Sequence, residues 1–223
     1  MNALLLITVI AVLHFQLVNA ALLDDYVNQG PEFLSYSLMP ALNLNGTGKA
    51  YLKDASWTAL AVNVTSQKWL TEDDWRADWG GQGAHWWHLV YIITPSNLKT
   101  TEYRTLYITG GQNDDKQYTS NDEDFITAAT LAMTTGQIAV CIFQVPNVPI
   151  YITGEPAPQP KLTQDNLLAH TFVHYMDYIK NNGSNESLDD ASWVVLMPMV
   201  KSAFAGMAVV DEVLGNEPCS IKW

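Results

Sequence analysis

The chain has 223 residues, 48% hydrophobic and 15% charged, a core-forming composition that excludes wholesale disorder. Eleven Lys and Arg stand against 23 Asp and Glu, a net charge of −12, with Arg present only as Arg76 and Arg104. That balance excludes a phosphate-tracking nucleic-acid surface and docking on an anionic membrane. Two cysteines, Cys141 and Cys219, are too few for a disulfide framework.

Ala3 to Leu13 is an 11-residue run broken only by Thr8. It has the length of a secretory h-region and is too short for a membrane span. Val18-Asn19-Ala20 places cleavage after Ala20, so residues 1–20 read as a signal peptide and 21–223 as the mature domain. Four Asn-x-Ser/Thr sequons follow, at Asn45, Asn63, Asn182 and Asn185. Behind a signal peptide they read as a secreted glycoprotein. Asn45, Asn182 and Asn185 lie in loop-like stretches, whereas Asn63 lies in a strand pattern.

Strands are expected at 57–65, 88–94, 104–109 and 137–144, from their β-branched and apolar runs. The last two read as strands buried on both faces of a parallel sheet. Between them Ser120 and Glu123 have capping-box spacing, and Phe125, Ala128, Ala129 and Ala132 form an apolar helical face. Gly136 stops that helix, which makes the unit a βαβ crossover. Five of the ten prolines fall in 146–160, a long loop after the fourth strand. Thr163 caps a helix running to about Lys180, with Leu168, Phe172, Tyr175, Met176 and Ile179 as its buried stripe. A last helix runs from Pro198 to about Leu214 with Val200, Ala203, Phe204 and Met207 inward, closed by Gly215. Cys219 to Trp223 is strand-like, so the chain is expected to be the N-terminal piece of a longer one.

No Gly-x-Ser-x-Gly, P-loop, dinucleotide fingerprint or His-Glu-x-x-His occurs. His170 and His174 share i, i+4 spacing, and His85 and His88 flank Trp86-Trp87. Neither pair has the further ligands of a zinc site, so packed or surface histidines are expected, with no metal and no cofactor. The acidic residues Asp114, Asp115 and Asp122–Asp124 lack the pattern of a calcium loop and read as a solvated helix start. Gly110-Gly111-Gln112-Asn113 follows the third strand. Gly110, Gly111 and Asn113 are candidates for an oxyanion or cleft loop, or for a tight turn needing positive φ. Six of the eight Trp lie between Trp57 and Trp87, suited to core packing or to stacking on sugar rings.

Thr65-Ser66-Gln67-Lys68-Trp69-Leu70, Trp86-Trp87-His88, Thr109-Gly110-Gly111-Gln112-Asn113 and Val145-Pro146-Asn147-Val148-Pro149 come in a recognisable order. Asp165-Asn166-Leu167-Leu168-Ala169-His170-Thr171 and Pro198-Met199-Val200-Lys201-Ser202-Ala203 continue it. The chain resembles the PhoPQ-activated pathogenicity-related family, which includes secreted eukaryotic autocrine proliferation repressors. The resemblance implies the N-terminal part of an α/β-hydrolase-like fold, with a mostly parallel central sheet flanked by helices. It also implies a nucleophile turn after Trp223, so no catalytic residue carries over. Leu162-Thr163-Gln164-Asp165 departs from the family's Arg-x-Glu-Asp. The implied function is an extracellular growth-restraining signal acting on a cell-surface receptor. The alternatives are a secreted serine hydrolase of peptides or esters, active only at full length, and a Trp-based carbohydrate-binding module.

Overall fold

The computed structural model describes residues 22–29, 33–51, 53–74, 84–113, 118–152, 162–183 and 191–215. The elements are α1 (22–28), β1 (Ser35–Leu38), β2 (Leu44–Ala50), β3 (Lys53–Lys68), β4 (His85–Pro95) and β5 (Arg104–Ile108). They continue with α2 (Glu123–Thr135), β6 (Ile138–Ile142), α3 (Gln164–Asn182) and α4 (Leu196–Leu214). One six-stranded sheet runs in the order β1-β3-β4-β6-β5, with β2 also on β3.

This sheet is mostly antiparallel, which corrects the expected mostly parallel one. β1, β2 and β4 pair antiparallel with β3, and β4 pairs antiparallel with β6. Among the described strands only β5 and β6 run parallel. Parallel neighbours need a crossover connection of about a dozen residues, and α2 supplies one between β5 and β6. A second correction concerns β5. Among the described residues it ends the strand order and is only half-buried, whereas β6 is buried throughout.

The core fills both faces. On one, Phe125, Ala128, Ala129, Ala132 and Met133 of α2 meet Ala59, Ala61, Tyr91, Cys141 and Phe143. The Phe125 ring lies 5.0 Å from Trp57 and 5.1 Å from Tyr91. The expected face of α2 is thus the buried one. Its cap differs: the helix starts at Glu123, so the Asp122 side chain accepts from the Asp124 amide. Gly136 ends it at φ 72°.

On the opposite face α4 lies against Val62, Val64, Val90, Ile92, Val140 and Ile142. The residues it buries are Pro198, Ser202, Ala205, Gly206, Val209, Val210 and Asp211. The expected stripe of Val200, Ala203, Phe204 and Met207 is only half-buried. Small residues win the inward positions because the helix sits close to the sheet. A Cβ on Gly206 would stand 3.1 Å from the Ile142 side chain.

The stripe expected on α3 is corrected too. Leu167 and Thr171 are its buried residues, while Phe172 and Met176 are exposed. Leu168 packs partly against Trp69, Trp86, Val148, Ile150 and Val195. Farther along, the His174 ring stacks on Trp193 at 4.0 Å. Helix α3 therefore meets the body along a narrow seam rather than across its widest apolar arc.

Candidate functional site

The carboxyl ends of β5 and β6 form a crevice. Residues 109–113 leave β5 beside residues 143–149 leaving β6. The Gln144 amide donates to the Gly110 carbonyl (2.9 Å) and the Asn113 amide to the Val148 carbonyl (2.6 Å). The buried Asn147 carboxamide donates to the Asn113 side-chain oxygen at 3.1 Å and to the Trp87 carbonyl. Gly111, Gln112 and Val148 face the first turn of α3, Thr163 to Asn166, across a cleft of about 440 Å³.

Close approach accounts for both glycines. A Cβ on Gly110 would lie 1.9 Å from Gln164 Nε2. At Gly111, φ is +124° and a Cβ would lie 2.1 Å from the Tyr118 hydroxyl. Only glycine adopts that backbone freely. Gly111→Val is therefore expected to destabilise the fold by about 1–3 kcal/mol. Gly183→Ala is the control, because Gly183 has φ +80° and open space around it. Urea midpoints of the two variants check the difference, and equal shifts would refute steric crowding at Gly111.

Beside the loop, Asp124 collects two hydroxyls. Tyr107 Oη donates to Oδ1 at 3.0 Å and Thr109 Oγ1 to Oδ2 at 2.6 Å. This ties the first turn of α2 to the end of β5.

A second polar cluster escaped sequence reading. The pairing of β3 with β4 shifts between Thr65 and Gln67. The extra residue at this bulge sends both Ser66 and Gln67 into the interior. There Ser66 Oγ meets His88 Nε2 at 3.0 Å. His88 Nδ1 lies 3.1 Å from both the Phe143 and the Gln144 carbonyls. Carbonyls only accept, so Nδ1 carries the proton and Nε2 accepts from Ser66. Gln67 Nε2 donates to the Pro198 carbonyl (2.7 Å) and to Ser202 Oγ (3.1 Å). Tyr26 Oη donates to Gln67 Oε1 at 3.0 Å, which closes the set. Burial lowers the His88 pKa to about 4, against the raising effect of the two carbonyl contacts. The pair has dyad geometry, but His88 is 0% and Ser66 2% exposed. Consecutive polar residues within an otherwise apolar strand were the available signal.

Other sequence candidates fall as follows. Asn45 is exposed, but on β2 rather than in a loop, because the Gly-rich stretch pairs with β3. Asn63 is half-buried on β3, between Ser37 and Leu89. Asn182 is exposed at the end of α3. Asn185, Cys219, Trp75 and Trp79 lie outside the described residues. Cys141 is a free thiol, pushed up by burial. Trp57, Trp69 and Trp86 are buried in the core. Among the described residues no group of three or more His, Cys, Asp or Glu could hold a metal. Among them, too, no helix is long and apolar enough to cross a membrane.

The fold and crevice define a mixed α/β protein with a cleft at the carboxyl ends of its parallel strand pair. The family model for PhoPQ-activated pathogenicity-related protein matches residues 23–222, and the chain belongs to that family. No curated protein and no solved structure matches it.

Proposed function

We propose that the chain belongs to a secreted, glycosylated protein of α/β-hydrolase-like fold. Its function is an extracellular growth-restraining signal acting through a cell-surface partner, as in the autocrine proliferation repressors it resembles. The observation that carries this reading is the fate of the Ser66–His88 contact. Both side chains are sealed in the core and spend their hydrogen-bonding capacity there. The cleft between Gly111 and the first turn of α3 is open to a ligand or partner. The order β3-β4-β6-β5, with its one helix-linked parallel pair, supports the fold assignment. Exposed Asn45 and Asn182 support glycosylation, and the apolar run before Ala20 supports secretion.

The test is purified protein from eukaryotic culture medium, added to growing cells. Cell number is expected to fall with dose, and mass spectrometry to find a chain starting at Ala21. Growth indifferent to the protein rejects the signal. A second reading, a secreted serine hydrolase of peptides or esters, draws on the cleft's location, since open α/β sheets bind ligands at strand carboxyl ends. A fluorophosphonate probe is expected to leave the 223-residue protein unlabelled. Stoichiometric labelling of one serine would replace the signal by the enzyme.

A further inference from the structure

A second cavity lies at the opposite end of the sheet from the crevice. There the β2–β3 hairpin, the segment after β4 and the last turn of α2 enclose about 490 Å³. Ile93 of β4 pairs with Ala139 of β6, so the carboxyl end of β4 stands beside the amino end of β6. Ala50 and Ala55, both buried, form part of the wall, and their small side chains leave the space open. A volume of this size holds a small molecule.

Tyr51 lines the cavity under local strain. Ala50 pairs with Lys53, so two residues make the turn between β2 and β3. Such turns take Asn, Asp or Gly where φ is positive. Tyr51 stands at φ 58° and is 78% exposed. The fold neither buries this ring nor gains an easy turn from it. Residues held against local preference gather at ligand sites.

The rim is basic on a chain of net charge −12. Lys53 and Lys99 line the cavity and are exposed. Asp54, also on the lining, is held by Lys49 at 2.6 Å. Helix α2 positions the arm of Lys99: a Cβ on Gly136 would stand 2.9 Å from its methylenes. Helix carboxyl ends repel anions. Here Asn97 donates to the Met133 carbonyl (2.9 Å) and Lys99 Nζ to the Thr135 carbonyl (3.4 Å), which covers that end. The Lys99 ammonium keeps further protons for a ligand. Inorganic phosphate would leave the apolar wall unused, and a hydrocarbon would leave the ammonium groups unused.

We propose that this cavity binds a small aromatic carboxylate, its ring against Tyr51 and the two alanines and its charge at Lys53 and Lys99. The site is separate from the crevice and does not rest on the functional reading above.

Titration of the isotope-labelled 223-residue protein with naphthylacetate, followed by NMR, tests this. Saturable shifts are expected at Ala55, Asn97 and Lys99 but not at Gly111 or Gln112, with Kd on the order of 1 mM. Naphthylethanol lacks the charge and acetate lacks the ring, and each is expected to bind about tenfold more weakly. Lys53→Gln and Lys99→Gln are each expected to weaken naphthylacetate about threefold. Lys180→Gln, near the far end of α3, is the control and is expected to change nothing. Tyr51→Asn is expected to keep or raise the urea midpoint while weakening naphthylacetate about fivefold. No saturable shift up to about 10 mM ligand overturns the proposal. So do shifts centred on Gly111, equal binding of naphthylethanol, or affinity untouched by both lysine variants. A Tyr51→Asn protein that is less stable yet binds as well would make Tyr51 a structural residue and overturn it too. If Tyr51→Asn does not fold, the lysine variants and the two comparators decide the matter.

Discussion

Replacing Asp211 by alanine is expected to cost about 3–5 kcal/mol of folding stability. The Arg104 and Asp211 side chains are 3% and 8% exposed, and Arg104 Nη1 donates to Asp211 Oδ1. Arg104 Nε is buried with no hydrogen-bond partner among the described residues, so the guanidinium depends on the carboxylate to offset its lost hydration. Truncating Asp211 leaves that charge buried and unpaired. In a domain of this size the loss corresponds to a fall in Tm of about 6–20 °C. The double variant Arg104→Met, Asp211→Leu separates the pair's net contribution from the penalty of breaking it. It is expected to recover most of the loss, since apolar replacement of a buried pair is often neutral. Chemical denaturation of the three proteins checks this. An Asp211→Ala cost below about 1 kcal/mol would show that water reaches the guanidinium.

Acidification is expected to weaken the fold through His88. Its folded pKa is lowered to about 4 from an ordinary value of 6.5, chiefly by burial. The unfolded chain therefore binds the proton more readily. The stabilisation is fully present above pH 6.5 and is lost as pH falls through the window down to about 4. Each pKa unit is worth about 1.4 kcal/mol, so the loss approaches about 3 kcal/mol between pH 7 and pH 4. Around the ring lie Ser66, the Phe143 and Gln144 carbonyls and the edge of Trp86 at 6.4 Å. None of these is a carboxylate that could hold the imidazolium. His88→Gln keeps a donor and an acceptor but does not titrate. Its stability is expected to change less between pH 7 and pH 5 than that of the unaltered protein. Parallel pH profiles would refute the assignment.

Local signals in the sequence reached as far as local physics does. Helix α2 was legible because its apolar positions repeat at helical spacing and Gly136 tolerates φ 72°. Strands β3 to β6 were legible as β-branched and apolar runs. Tertiary structure decided what depends on which surfaces meet. Among the described residues strand order put β5 at the edge, because α2 carries the chain back between it and β4. Helix α4 turned its small residues inward because contact with Ile142 leaves no room for larger ones. On α3, Phe172 and Met176 have the periodicity of a buried stripe, yet the helix meets the body at Leu167 and Thr171. The Ser66–Gln67–His88–Ser202 cluster spans 136 residues of chain and needs a one-residue bulge to form. A sequence records that those polar residues are present. Only the packed sheet sets their partners, because each buried hydrogen bond is fixed by two elements that lie far apart along the chain.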